Sequence, residues 1–111
     1  MAFDATLETS GNIATITLIG ELDANSAGDF RTQVEGAAAA NPQKLVLMME
    51  DLTFMASAGL RVLIFAKQKM GSDVDIFVIA PQEPVRETME MTGFHYSVIL
   101  LDEYDAAAIE D

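Results

Sequence analysis

The segment Met55-Ala56-Ser57-Ala58-Gly59-Leu60-Arg61 sets one hydroxyl among small side chains, after a buried-type apolar run and before a stretch of helical spacing. A serine in such a turn can cap the helix, attack a substrate or accept a phosphoryl group. Capping is the plain structural role, because a serine oxygen can accept from a backbone N–H two or three positions on. Attack on a substrate needs a base beside the nucleophile. The only histidine is His95, expected near the mouth of the last strand, and the Gly-x-Ser-x-Gly elbow is half absent because Met55 stands two residues before Ser57. The expectation is that the chain is not an enzyme. Phosphoacceptance asks for less. Ala56, Ala58 and Gly59 leave Ser57 open to another protein's active site. A helix N-terminus hosts the added charge of about −1.5 to −2 through its free N–H groups and dipole. Capping and phosphoacceptance are compatible, and the residues alone leave both open.

Other chemistries find less support. The chain has no cysteine, which excludes disulfides and thiolate metal sites. Asp73 and Asp75 lack further ligands at a metal-loop spacing, and there is no glycine-rich phosphate loop. No metal and no cofactor are expected. Eighteen acidic residues against six basic ones give a net charge of −12. That balance disfavours nucleic acid and anionic membrane surfaces and favours a protein partner with a basic patch. Part of the excess, Asp102, Glu103, Asp105, Glu110 and Asp111, reads as a solubilising C-terminal helix or tail. No leader-like segment opens the chain, and apolar runs such as Leu45 to Met49 fall far short of the roughly 20 residues of a membrane span. A soluble cytoplasmic protein without membrane insertion is expected. Nothing in the residues speaks to oligomeric state.

The elements that must hold the turn follow from periodicity. Phe3, Ala5 and Leu7 alternate with polar residues over Ala2 to Glu8, Gly11-Asn12 turns the chain, and Ile13, Ile16 and Leu18 continue in a second strand. Ala27, Phe30, Val34 and Ala37 mark an amphipathic helix capped near Asn25 or Ser26 and stopped by Asn41-Pro42. Lys44 to Glu50 reads as a central strand buried on both faces. From Gly59 to Met70 a stripe of Leu60, Leu63, Ile64 and Met70 predicts a helix closed by Gly71, with Arg61 and Lys67 outward. A strand within Asp73 to Ala80 follows. Next comes a helix opened by Pro81 and Pro84 and stopped by Gly93, burying Val85 and Met89. Val98 to Leu101 gives a short last strand, and Asp102 to Glu110 a final acidic helix. The order ββαβαβαβα predicts one α/β domain over residues 1–111, a mixed, largely parallel sheet with helices packed against it.

Two motifs in this frame carry a resemblance. Gly20-Glu21-Leu22-Asp23, ahead of the first helix, looks like a Gly-x-Leu-Asp motif, and Leu52-Thr53-Phe54-Met55-Ala56-Ser57-Ala58-Gly59-Leu60 looks like an Asp-Ser-Ser/Thr/Ala-Gly-Leu strand-to-helix signature. Together with the element order they resemble the anti-sigma factor antagonists of the STAS family over nearly the whole chain. The resemblance implies a STAS-like fold and a protein-binding phospho-switch. The unphosphorylated form binds an anti-sigma factor that is also a serine kinase and frees the sigma factor, phosphorylation releases it, and a PP2C-type phosphatase restores binding. Carried over by position, Ser57 is the phosphoacceptor, and Asp23, Met55, Ala56, Ser57, Ala58, Gly59, Leu60 and Arg61 form the partner-binding surface. The chain departs from the signature at Ala56, where the family has aspartate, so a hydrogen-bond acceptor is missing beside the serine. That departure supports an alternative of another class, a stand-alone STAS subunit of a membrane transporter ATPase acting without phosphorylation. A scaffold binding a small anion or nucleotide at the Ser57 helix end is a third reading.

Overall fold

Alternating side chains in the first 22 residues build a hairpin in which β1 (Asp4–Ser10) pairs antiparallel with β2 (Ile13–Leu22). Gly11 takes the turn at φ +59, a conformation that costs glycine nothing. This computed structural model describes residues 2–110. After the hairpin come α1 (Ala27–Ala39), β3 (Lys44–Met55), α2 (Ser57–Met70), β4 (Asp75–Ile79), α3 (Glu83–Thr92), a 3₁₀ turn at Phe94–Ser97, β5 (Ile99–Leu101) and α4 (Ala106–Ile109). The five strands lie in the order β1-β2-β3-β4-β5, and every pair after the hairpin is parallel. The expected α/β order and mixed sheet are what the chain adopts.

Strand alternation divides the core in two. Leu45, Leu47 and Met49 of β3 and Ile76 and Val78 of β4 join Phe30, Val34, Leu60, Leu63, Ala66, Val85 and Met89 from the three longer helices in one buried cluster. The intervening Val46, Phe77 and Ile79 form a second cluster, closed by Ile109 of α4. At roughly 25 cal/mol per Å² of apolar surface removed from water, the first cluster dominates the folding energy and fixes how α1 and α2 seat on the sheet.

Several expected boundaries shift, each for a local reason. β3 runs five residues beyond Glu50, to Met55, because β2 continues beside it until Leu22 lies opposite Met55, across register shifts at Thr17/Ile19 and Gly20/Glu21. α2 therefore starts at Ser57 and not at Gly59. Its buried stripe is Gly59, Leu60, Val62, Leu63 and Ala66, whereas Ile64, expected in the core, is 39% exposed and Met70 is half-buried. The final helix shrinks to Ala106–Ile109, since Asp105 caps it by accepting from the N–H groups of Ala107 and Ala108. Asp111, expected in the acidic tail, lies outside the described residues. No helix among the described residues is long and apolar enough to cross a membrane.

Candidate functional site

The two sequence motifs meet at the C-terminal ends of β2 and β3. Thr53 Oγ1 donates to the Gly20 carbonyl at 3.1 Å, and the Ala56 N–H donates to the Leu22 carbonyl at 2.8 Å. Leu22 itself lies against Gly59, where a Cβ would come within 2.7 Å of its side chain and 2.8 Å of Met55. Gly20 is required for two reasons: its φ is +96, and a Cβ there would sit 2.2 Å from the Ala2 carbonyl oxygen. The glycines of both motifs thus mark close approaches, which is why no larger residue stands at either place.

Asp23 organises the turn into α1. Its Oδ1 accepts from the N–H of Asn25 at 2.9 Å and of Ser26 at 3.1 Å. Ser26 was expected as a capping side chain and does occupy the N-cap position, yet its oxygen makes no cap hydrogen bond. The hydroxyl instead accepts from the Asp23 N–H at 2.9 Å and donates to the Glu21 carbonyl at 3.0 Å. From the other side α3 reaches the serine turn through Thr88, whose Oγ1 donates to the Met55 carbonyl at 3.2 Å.

Capping by Ser57 does not occur. Ala56 has the extended backbone of an N-cap, φ −81 and ψ 172, so Ser57 is already the first helical residue, and among the described residues no side chain caps the helix. The Ala56 carbonyl takes the N–H groups of Gly59 at 3.0 Å and Leu60 at 3.2 Å. Among the described residues no acceptor pairs with the N–H of Ser57 or Ala58, and no hydrogen bond engages the Ser57 hydroxyl, which is exposed. Two free donors and the positive end of the α2 dipole therefore flank an accessible oxygen, a setting that favours an anion.

The residues carried over as partner-binding separate by exposure. Ser57 and Arg61 are exposed, and Asp23, Ala56 and Ala58 are half-buried. Met55, at 2% exposure, Gly59 and Leu60 lie beneath the surface and shape it from below. Sequence reasoning missed Phe54, which is 46% exposed at the end of β3. Its outward position follows the irregular β2/β3 register, which has no periodic signature. Of the methionines, Met89 is fully buried, as its helical spacing predicts, and Met91 is 86% exposed.

His95 sits in the 3₁₀ turn with its ring 4.0 Å from that of Tyr96, and no hydrogen bond joins it to Ser57. Among the described residues no three carboxylates or imidazoles converge as metal ligands. Beside the serine turn, the N-terminal parts of α1 and α2 border an open groove of about 260 Å³ lined by Ala27, Gly28, Arg31, Ala58, Arg61 and Val62. The Arg31 guanidinium lies 3.9 Å over the Phe65 ring.

The family model described as STAS domain matches residues 4–107. The anti-sigma-F factor antagonist RsfB of Mycobacterium tuberculosis is 26% identical over 88 residues, which span 79% of this chain and 72% of that protein. An anti-sigma factor antagonist from Mycobacterium paratuberculosis superposes with a TM-score of 0.89 at 22% identity, covering 99% of this chain and 96% of the other. SpoIIAA, an anti-sigma factor antagonist solved in its unphosphorylated form, superposes at 0.81 with 20% identity, covering 95% and 92%. The same Bacillus protein in its phosphorylated form gives 0.74 at 20% identity, covering 98% and 97%. At these identities the superpositions establish a common fold.

Proposed function

Because the chain belongs to the STAS domain family, we propose that it is an anti-sigma factor antagonist, a binding protein switched by phosphorylation of Ser57. The observation that carries this reading is the state of Ser57: an exposed residue whose hydroxyl takes part in no hydrogen bond among the described residues, preceded by a strand end and turn pinned to Gly20 and Leu22. The unphosphorylated surface, Ser57 and Arg61 with half-buried Asp23, Ala56 and Ala58, receives an anti-sigma factor that is also a serine kinase. Phosphoryl transfer then releases it, and a PP2C-type phosphatase resets the chain. RsfB and SpoIIAA, both named anti-sigma factor antagonists, support the assignment, and the existence of SpoIIAA in two phosphorylation forms supports the switch.

Charge carries the switching energy. A phosphate adds about −1.5 to −2 charges at the contact surface, and disrupting one desolvated charged contact costs about 2–5 kcal/mol. Because about 1.4 kcal/mol is tenfold in affinity, that is enough to reverse a micromolar association. The test is to incubate the protein with the anti-sigma kinase of its own genome and ATP, then to measure intact mass and binding. One added phosphoryl group that Ser57→Ala abolishes, together with weakened binding by Ser57→Asp, is the expected result. No mass change, or Ser57→Asp binding like the wild type, rejects the switch. Co-purification with a transporter ATPase in place of the kinase would support the transporter-subunit alternative.

A further inference from the structure

We propose that the groove between α1 and α2 receives a segment of the partner that carries acidic side chains around an apolar anchor, with its carboxylates on Arg31 and Arg61. This rests on the reading of the chain as a partner-binding antagonist and specifies the chemistry of what the partner must present. The groove is lined by the small or apolar Ala27, Gly28, Ala58 and Val62, and among the described residues the only charged ones lining it are the two arginines. At about 260 Å³ it falls below the roughly 300–1,000 Å³ of small-molecule pockets, so it suits one or two inserted side chains better than a cofactor. Asp29, the carboxylate of the first turn of α1, lines separate hollows with Phe3 and leaves the groove free of negative charge.

The wider charge pattern points the same way. Over Ser57–Met70, α2 carries Arg61, Lys67 and Lys69 and no acidic residue, opposite in sign to the chain's net −12. A partner with a basic region is attracted by the protein as a whole, yet at this groove only an acidic segment is complementary. The two signs together fix the docking register, since a uniformly basic surface would meet like charge at α2. Arg31 is held over Phe65 and so is ordered before binding. Arg61 lies four residues after Ser57, one helical turn along the same face, where side chains are neighbours. A phosphate on Ser57 therefore competes with the partner's carboxylate for Arg61, which couples the groove to the switch.

The experiment is a binding titration of the purified anti-sigma factor of the same genome against wild type, Arg31→Glu, Arg61→Glu and the control Lys69→Glu. Lys69→Glu makes the same charge change on α2 outside the groove. Thermal melts verify that every variant is folded. Each groove reversal is expected to weaken binding about tenfold or more, and the control by less than about threefold. A photocrosslinking residue at Gly28, where an added Cβ meets nothing within 4 Å, then maps the occupant, expected to be an apolar residue with Asp or Glu close by. Wild-type binding with groove reversals matching the control overturns the groove while leaving the antagonist reading intact. A crosslinked segment without carboxylates overturns the chemistry of the occupant. Absence of wild-type binding removes the antagonist reading and this proposal with it.

Discussion

Replacing Gly59 by alanine tests whether the serine turn is held by contact with Leu22. An added Cβ would lie 2.7 Å from Leu22 Cγ and Cδ2 and 2.8 Å from Met55 Cγ, about 1 Å inside the optimal carbon separation of roughly 3.5–4.0 Å. Leu22 and Met55 are 0% and 2% exposed, so neither can swing into solvent to make room. Overpacking of this kind costs about 1–3 kcal/mol. Against it stands the helix preference of alanine over glycine, about 0.8–1 kcal/mol in a helix interior and less at the third residue of α2. The net expectation is destabilisation by about 1–2 kcal/mol, read as a lower urea midpoint at unchanged m. The sharper test repeats the change in a Leu22→Ala background. That substitution alone costs about 2–5 kcal/mol, but it removes the Leu22 Cγ and Cδ2 contacts and opens space into which Met55 can shift, so Gly59→Ala should there cost at least about 1 kcal/mol less than in the wild type. Stability of Gly59→Ala at or above wild type, or an equal cost in both backgrounds within about 0.5 kcal/mol, would refute the packing argument.

Four further outcomes are expected. Gly20→Ala combines a φ of +96 with a Cβ 2.2 Å from the Ala2 carbonyl, and should cost more than about 1 kcal/mol by urea denaturation, since backbone must move. Ala56→Asp supplies the absent cap acceptor and should stabilise by about 1 kcal/mol, with slower amide exchange at Ala58 or Gly59; unchanged exchange would contradict the cap geometry. Ile109→Ala uncovers Val46, Phe77 and Ile79 and should destabilise by about 2 kcal/mol, the low end for a core truncation because the four-residue α4 can detach. The Tyr104 hydroxyl donates to the Glu110 carboxylate, and this bond, then burial and the carboxylate charge, raise its pKa above 10.0. A raised folded pKa means that its contribution to stability is present below about pH 10 and lost as pH climbs through the folded value. Ultraviolet titration should show a late phenolate that Tyr104→Phe removes and Glu110→Gln shifts down.

Periodicity made most of the architecture readable, because residues such as Phe30, Val34, Val85 and Met89 sit where three- and four-residue spacing puts a buried helix face. Boundaries failed where long-range pairing decided them. β3 reaches Met55 only because β2 lies beside it to Leu22, a contact across more than thirty residues that no local window contains. The same extension moved the N-cap from Ser57 to Ala56 and removed the capping role. Asp23 and the serine turn were both legible as motifs, but their joining through Leu22, Gly59 and Thr53 was not, since each half looks like an ordinary turn alone. The groove depends on α1 lying beside α2, so its arginines had no common signal in the chain.

The way the turn is fastened decides how a phosphate on Ser57 could act on the proposed reading. Ala56 is tied to Leu22 through its N–H, its carbonyl holds the Gly59 and Leu60 amides, and Leu22 fills the space beside Gly59. Moving this assembly means breaking several contacts of about 1 kcal/mol each and opening a core that is close-packed. A phosphate at the helix N-terminus gains about 0.3–1 kcal/mol from the dipole, up to about 2 in a partly buried setting, and that gain favours the turn as it stands. The modification therefore reinforces the local structure and does not reshape it. Its effect on a partner must come from charge and bulk placed at the surface, where about 2–5 kcal/mol of contact is at stake. Ala56 strengthens this logic: with no side chain among the described residues capping α2, the Ser57 and Ala58 amides remain available, so on the proposed reading a phosphate that repels the partner would also serve as the missing cap.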